Sequence, residues 1–150
     1  MPKVTETELP ATSQLHGYVN ANDFMDCFVV NADMPARRAA EIITDFPGWA
    51  RFLLVIRRIV TAPFGLSNDG PVADDKLGPF PVDQETDEEI IAGFNDRHLN
   101  FRVCVRSVEG QIFLATWVHP HNWGGKLYLN VILPAHIMIA RNALARVAAA

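Results

Sequence analysis

Residues 99–119 read LNFRVCVRSVEGQIFLATWVH and contain the clearest structural signal in the chain. In the first half two sets of residues alternate: Leu99, Phe101, Val103 and Val105 against Asn100, Arg102, Cys104 and Arg106. A period of two is that of a β-strand with one face buried. Glu109-Gly110 is a hairpin signal, and residues 111–119 alternate again. The pattern predicts two antiparallel strands joined by a tight turn.

Further strands are predicted on the N-terminal side of this hairpin. Residues 23–31 and 89–94 are rich in aromatic and β-branched residues, and residues 80–84 allow a shorter strand. Between Gly65 and Glu88 the chain is rich in Gly, Pro, Asp and Asn, which is typical of a long loop. The sheet is therefore expected to be antiparallel, with shortened strands in this region.

Two short helices are predicted after the first of these strands. Residues 36–45 have helical spacing, with Asp33 as the expected cap and Pro35 near the first helical position. Pro47 interrupts this pattern. Residues 49–60 then place apolar side chains at the i, i+3, i+4, i+7 spacing of an amphipathic helix.

One long helix is predicted over residues 122–147, with Asn122 as its cap. Its apolar stretch is interrupted by Lys126, Asn130, Pro134 and His136. It falls short of the roughly 20 apolar residues that a bilayer requires. We therefore expect a core helix and no membrane span.

The chain is expected to form a single α+β domain over residues 22–150. Residues 1–21 are polar and lack periodicity, which predicts a flexible N-terminal arm. A curved antiparallel sheet has one face to cover, and a long apolar helix can cover it. Where the sheet wraps the helix without filling the space between them, a cavity lined by apolar side chains remains.

Several segments resemble a known superfamily. They are Phe46-Pro47-Gly48-Trp49 with Ile56-Arg57, Phe64-Gly65-Leu66, residues 95–102 (NDRHLNFR) and residues 119–128 (HPHNWGGKLY). With the order of elements, they resemble the helix-grip (SRPBCC) superfamily of START domains, the birch-pollen allergen and polyketide cyclases. The resemblance is to an uncharacterised bacterial branch catalogued as a domain of unknown function. It implies a curved antiparallel sheet around the C-terminal helix, and it does not imply a particular activity.

Composition excludes several classes of protein. With 49% hydrophobic and 20% charged residues the chain is too apolar to be disordered. A net charge of -4 and dispersed basic residues argue against nucleic-acid binding. The first ten residues contain no apolar run, so no signal peptide is expected and the predicted location is cytoplasmic. Cys27 and Cys104 are expected as buried free thiols, although a bridge between adjacent strands stays open.

The expected partner is a small hydrophobic ligand, such as a lipid, a polyketide-like compound or an isoprenoid. The predicted lining of the cavity comprises Trp49, Phe101, Trp117, Trp123, Leu127, Tyr128 and Val131. No Gly-rich phosphate loop or CxxC pair occurs, and no cofactor is expected. His119 and His121 have the spacing of a two-histidine pair, but no third ligand has a matching spacing, so no metal is expected.

Two alternatives stay open. In the first, the chain is a cyclase- or hydratase-like enzyme in which His119 or His121 moves a proton and Arg102 holds an acidic group. The alternation favours a solvent-facing Arg102. For the two histidines, a structural role at the junction of strand and helix is favoured over a catalytic one. In the second, the chain is a homodimeric interaction domain and the cavity is incidental. Whether the protein is an enzyme is therefore left undecided.

Overall fold

Seven strands form an antiparallel sheet in the computed structural model, which describes residues 4–20, 23–45, 75–77, 80–95 and 99–150. The strands are β1 (Thr5–Glu6), β2 (Phe24–Asn31), β3 (Lys76–Leu77), β4 (Phe80–Glu85), β5 (Glu89–Asn95), β6 (Leu99–Val108) and β7 (Gln111–Pro120). Their spatial order is β1-β2-β7-β6-β5-β4-β3. Helix α1 spans Ala36–Thr44, and helix α2 spans Trp123–Ala149. The α+β class and the long C-terminal helix are confirmed.

The β6–β7 hairpin is the centre of the sheet, as its alternation predicts. Each strand has ten residues, and Val108 pairs with Gln111 across the turn. The two turn residues, Glu109 and Gly110, both have positive φ angles of 52° and 75°. Two consecutive positive values characterise the type I′ turn, whose twist matches that of the flanking strands.

One of the two predicted helix caps is confirmed and the other is wrong. The Oδ1 atom of Asn122 accepts a hydrogen bond from the amide of Gly125 at 3.0 Å, which confirms the cap of α2. The predicted cap of α1 is wrong, because Pro35 occupies that position and makes no side-chain cap hydrogen bond. Its φ of -62° already suits the start of a helix. The predicted second helix, residues 49–60, lies outside the described residues.

Both helices cover one face of the sheet, which we call the inner face. Helix α2 lies against β2 and β7, and α1 lies against β5, β6 and α2. Alternate residues of the strands point to this face. The apolar cluster there contains Phe28, Val30, Ile90, Val105, Ile112, Leu114, Ala140, Ala143, Leu144 and Val147. The last turns of α2 are therefore closely packed against the sheet.

The opposite, outer face of the sheet is covered by residues 4–20, the stretch predicted as a flexible arm. Strand β1 pairs with β2, and a 3₁₀ turn at Gln14–Gly17 buries Leu15 completely. Leu9 and Leu15 pack with Ile91 and Trp117 in a second apolar cluster. The segment is therefore packed against the outer face of the sheet and contributes to the core.

A buried polar cluster fastens this segment to the sheet. Glu89, whose side chain is 3% exposed, accepts hydrogen bonds from the Ser13 hydroxyl and, at 3.0 Å, from the amide of Gln14. The thiol of Cys104 donates to the same carboxylate at 3.0 Å, and Arg106 lies 3.7 Å from it. Glu89 and Arg106 each have partners, so the cluster can stay buried under the arm, although the Nε atom of Arg106 has none among the described residues.

The two cysteines are free thiols, and the topology explains why no bridge joins them. Cys27 on β2 and Cys104 on β6 both pair with Ala115, so strand β7 lies between them. Two strand spacings amount to roughly 9–10 Å, beyond the roughly 7 Å limit between the Cα atoms of a disulfide. The alternative of a bridge between adjacent strands is therefore wrong.

Helix α2 is long and apolar enough to cross a membrane by those two criteria alone. Its most apolar window has a mean hydropathy of 1.3, and 22% of that window is buried. Core helices of globular proteins meet the same criteria. Here the helix packs against the sheet through Leu129, Ala140 and Leu144.

Candidate ligand-binding cleft between the sheet and the terminal helix

An aromatic row crosses the inner face of the sheet near the beginning of α2. The strand register aligns Phe24 with Val118, Val118 with Phe101, and Phe101 with Phe94. The Phe101 ring lies 4.8 Å from the Phe94 ring and 5.4 Å from the Phe80 ring, both edge-to-face. Such geometry is favourable between aromatic rings. All four phenylalanines are only partly buried.

This row borders the helix at its looser end. Leu129 and Leu133 of α2 pack with Phe24 and Phe101, and Leu133 remains half-buried. At the other end of the helix Leu144 and Val147 have no exposed surface. The interface between sheet and helix is therefore fully buried near residue 144 and only partly buried near residue 133. We call the partly buried part, lined by Phe24, Phe80, Phe94, Phe101 and Leu133, the inner cleft.

A hydrogen-bonded aspartate–histidine pair lies beside the inner cleft. The Nε2 atom of His136 on α2 donates a hydrogen bond to Oδ2 of Asp26 on β2 at 3.0 Å. The ring of His136 also meets the Phe24 ring edge-on, with centroids 6.3 Å apart. The side chains of Asp26 and His136 are 9% and 24% exposed. The pair, with its buried cross-strand neighbour Thr116, is thus a polar point in a largely apolar interface.

Sequence reasoning did not assign this pair, although a signal for it exists. Asp26 occupies an inward position between Phe24 and Phe28, where an apolar residue is expected. His136 is on the side of α2 that also presents Leu129, Leu133 and Ala140 to the sheet. A polar residue on each of two facing apolar stripes is the pattern that could have revealed it.

Three predicted site residues lie on the outer face instead. Trp117 is 3% exposed and packs with the arm residue Tyr18, whose ring centroid is 5.7 Å away. Arg102 is on the same face, because it pairs directly with Trp117. His119 follows Trp117 by two residues and shares its face. The sheet therefore separates all three from the helix, and we remove them from the predicted lining and catalytic set of the cavity.

Arg102 is neither in the cleft nor in open solvent. Its guanidinium lies over the Tyr18 ring at 5.4 Å and is 3.2 Å from Asp83. The Nη1 group donates to Oδ1 of Asn100 at 2.6 Å. With its side chain only 13% exposed, Arg102 joins the arm to the sheet. These contacts give Arg102 a structural role and explain why its side chain is buried.

His119 belongs to a hydrogen-bond network centred on Asp23. The Asp23 carboxylate accepts from His119 Nδ1 at 2.6 Å, from Trp117 Nε1 at 2.9 Å and from the Asn20 amide at 2.8 Å. Burial opposes ionisation of Asp23, but these donors outweigh it and lower the pKa of its carboxyl group. The partner of His119 is thus a carboxylate that lies 96 positions away in the sequence.

His121 lies beyond the end of β7 and is exposed. Its Nε2 atom is 2.5 Å from Oδ1 of Asn95, and its ring centroid is 5.5 Å from that of His119. The two histidines are therefore neighbours at the sheet end. Within the described ranges no group of three His, Cys, Asp or Glu side chains could hold a metal ion.

The predicted helix residues of the cavity point away from the sheet. Trp123 is 78% exposed, Leu127 is 48% exposed and Val131 is 70% exposed. They follow one another at intervals of four residues, on the side of α2 opposite to Leu129 and Leu133. Together with Met138, which is 55% exposed, they form an apolar stripe on the outside of the helix.

Of the predicted lining, Phe101 alone is placed on the inner cleft by the described part of the chain. Trp49 and the side chain of Tyr128 lie outside the described residues. A separate open groove of about 500 Å³ runs along β1 and β2, lined by Glu6, Thr7, Glu8, Met25, Asp26 and Cys27. Asp26 thus lies between this groove and the inner cleft.

Comparison with known proteins gives one result. The family described as Protein of unknown function (DUF2867) matches residues 19–143, which include helix α1, strands β2 to β7 and most of helix α2. Neither the curated proteins nor the solved structures give a match.

Proposed function

Because the chain belongs to the DUF2867 family, whose description assigns no activity, we propose a function from its geometry: the inner cleft binds a small hydrophobic molecule. The class comprises lipids, polyketide-like aromatic compounds and isoprenoids. The observation that carries this proposal is the row of partly buried phenylalanines facing the loose end of α2. Apolar side chains around a concave space are typical of small-molecule sites.

The arrangement of sheet and helix also supports a finer proposal about ancestry. An antiparallel sheet that faces a long C-terminal helix, with a short helix after β2, is the element order of the helix-grip superfamily. We propose that the chain is a member of that superfamily. Its members use the space between sheet and helix, which is where the inner cleft lies.

A titration with 2-methylnaphthalene tests the binding function, using the change in naphthalene fluorescence. We expect saturable binding to the wild-type protein. In Phe101→Ala the loss of ring contacts should weaken binding by roughly threefold to tenfold. Val131→Ala, on the exposed outside of α2, is the matched control and should bind like the wild type.

Native mass spectrometry of freshly purified protein is an independent test of the proposed binding function. A co-purified apolar molecule would support the proposal. Absence of any saturable probe binding, in a protein shown by circular dichroism to be folded, would overturn it. So would equal loss of affinity in the Phe101 and Val131 variants, because the binding surface would then not be the inner cleft.

A second candidate function is self-association through the outside of α2. It is favoured by the stripe of Trp123, Leu127, Val131 and Met138, which exposes large apolar side chains in one line. Two copies of this stripe could pack against each other as an isologous dimer. Sedimentation velocity at micromolar concentration should show a dimer that Leu127→Ser weakens, and a strict monomer would exclude this function.

The cyclase- or hydratase-like alternative has less support than either candidate. It needs His119 or His121, together with Arg102, beside the ligand. Arg102 and His119 lie on the outer face, and His121 is exposed at the sheet end. An enzymatic function would therefore need other residues.

A further inference from the structure

We propose that the Asp26–His136 pair is the polar binding point of the inner cleft and that it selects an apolar ligand carrying a hydroxyl group. This inference rests on the proposed hydrophobic ligand and specifies its chemistry. Asp26 and His136 come from the two layers that enclose the cleft, β2 and α2. Their hydrogen bond of 3.0 Å joins the layers at the boundary between the fully buried and the partly buried parts of the interface.

The first step of the argument is an unpaired oxygen. Oδ1 of Asp26 is buried and accepts no hydrogen bond from the part of the chain that the structure describes, although Oδ2 is bonded to His136. Leaving a buried acceptor without a donor costs free energy, so native proteins normally pair such groups. An unsatisfied carboxylate oxygen at the border of the inner cleft therefore marks a position where a donor is missing among the described residues.

The second step concerns the imidazole of His136. Because Nε2 faces a carboxylate, we assign its proton to Nε2, which leaves Nδ1 as a lone-pair acceptor. No residue in the described part of the chain hydrogen-bonds Nδ1. The pair thus offers two acceptors, Asp26 Oδ1 and His136 Nδ1, and no free donor.

The third step is the chemistry that fits two acceptors. A hydroxyl group donates one hydrogen bond and can satisfy either atom. A carboxylate brings only acceptors and a negative charge, and would be repelled by Asp26. The adjoining Phe24 ring, in edge-on contact with His136, and the half-buried Leu133 provide the apolar surface for the rest of the ligand. Alcohols and phenols fit these requirements.

Three probes of similar size and shape test the proposal at pH 8. They are 2-naphthol, 2-methylnaphthalene and 2-naphthoate, each followed by its fluorescence. In the wild type we expect 2-naphthol to bind roughly threefold to tenfold more tightly than 2-methylnaphthalene, the value of one net hydrogen bond. The 2-naphthoate anion should bind most weakly.

Two variants locate the selectivity. The double variant Asp26→Leu, His136→Phe removes both acceptors and keeps an aromatic ring, so the preference for 2-naphthol should disappear while 2-methylnaphthalene still binds. Asp26→Asn removes the charge with little change of shape, so 2-naphthoate should bind more tightly than in the wild type. His16→Phe, an exposed histidine on the outer-face arm, is the matched control and should keep the wild-type order.

The outcomes separate this inference from the function on which it rests. If 2-naphthol and 2-methylnaphthalene bind the wild type equally, the inference fails and the hydrophobic cleft stands. If none of the three probes binds, the cleft itself fails. Circular dichroism confirms that each variant is folded, and Asp26→Asn supplies the decisive comparison should the double variant be unstable.

Discussion

Gly93 occupies a position in β5 that no other residue can fill without strain. Its φ is +144°, and a Cβ atom at this position would lie 2.4 Å from the carbonyl oxygen of Phe101 on the neighbouring strand. Because Gly93 has no side chain, the backbone of β5 can lie this close to that of β6 where the two strands carry the aromatic row. The position therefore affects both the sheet and the wall of the inner cleft.

We predict that Gly93→Ala lowers the free energy of unfolding by roughly 2–4 kcal/mol, from steric overlap and backbone strain together. Urea denaturation measures the change. Gly17→Ala is the matched control, because a Cβ there meets no atom within 4 Å, and its effect should stay below about 1 kcal/mol. A loss as small in Gly93→Ala as in Gly17→Ala would contradict the predicted clash.

Asp23 should make stability depend on acidic pH. Its pKa is lower in the folded state than in the unfolded state, because hydrogen bonds from His119, the Asn20 amide and Trp117 outweigh the opposing effect of burial. A depressed carboxyl pKa stabilises the fold above the unfolded value of about 3.9, and that contribution is lost as the pH falls through the folded pKa.

The prediction compares wild type with Asp23→Asn in urea denaturation between pH 7 and pH 3. The wild type should be the more stable at neutral pH, and the difference between the two proteins should shrink below about pH 4. Trp117 fluorescence reports the transition, since its indole contacts the same carboxylate. A difference that stays constant over this range would mean that Asp23 does not titrate differently in the folded state.

At the scale of elements, α2 has two apolar sides with different roles. Leu144 is completely buried between α1 and the sheet, whereas Val131 is 70% exposed on the opposite side. We predict that Leu144→Ala lowers the free energy of unfolding by roughly 2–5 kcal/mol. Val131→Ala should change it by less than about 0.5 kcal/mol. Thermal denaturation of the dilute protein tests both, and a costly Val131→Ala would show that this side is covered.

The same helix shows why part of the site could not be predicted. Apolar residues occur on nearly all sides of α2, so its spacing does not reveal which side meets the sheet. Trp123, Leu127 and Val131 were consequently placed in the cavity on residue type alone. By contrast, the period-two alternation of β6 and β7 is a local property, and it predicted both strands and their turn correctly.

Long-range pairing limited the prediction of the polar residues. Alternation separated Arg102 from Phe101, but it does not tell which face the helix covers. His119 depends on Asp23, which is 96 residues away, and His136 depends on Asp26, which is 110 residues away. Sparse apolar residues predict a flexible arm, although Leu15 is fully buried in the structure. Such contacts follow from tertiary packing, which a local pattern does not contain.

At the scale of the whole molecule, the sheet separates an inner apolar core under the helices from an outer apolar core under the arm. The two cysteines belong to the outer core. Cys27 and Cys104 lie in the cluster beneath the arm. Burial, with the nearby charge of Asp26, raises the pKa of Cys27 to about 12. Burial, with the hydrogen bond to Glu89, raises the pKa of Cys104 as well. Both groups are therefore neutral thiols, which are weak nucleophiles.

We predict that neither thiol reacts with Ellman's reagent at pH 8 in native protein, and that two thiols per chain react in urea. Leu15→Ala should loosen the arm and speed the reaction in native buffer, while Val131→Ala should leave the rate unchanged. Fast labelling of the wild type would show that the outer core opens readily.

The outermost strands of the sheet, β1 and β3, are only two residues long. A long free border would offer a row of unpaired amides and carbonyls on which a foreign chain could grow. Among the described residues β1 pairs only with Phe28 and Val29 of β2, and β3 pairs only with Phe80 and Pro81 of β4. A foreign chain would therefore have to pair with the short stretches of β2 and β4 that these two strands leave uncovered, and any assembly through the sheet would begin there.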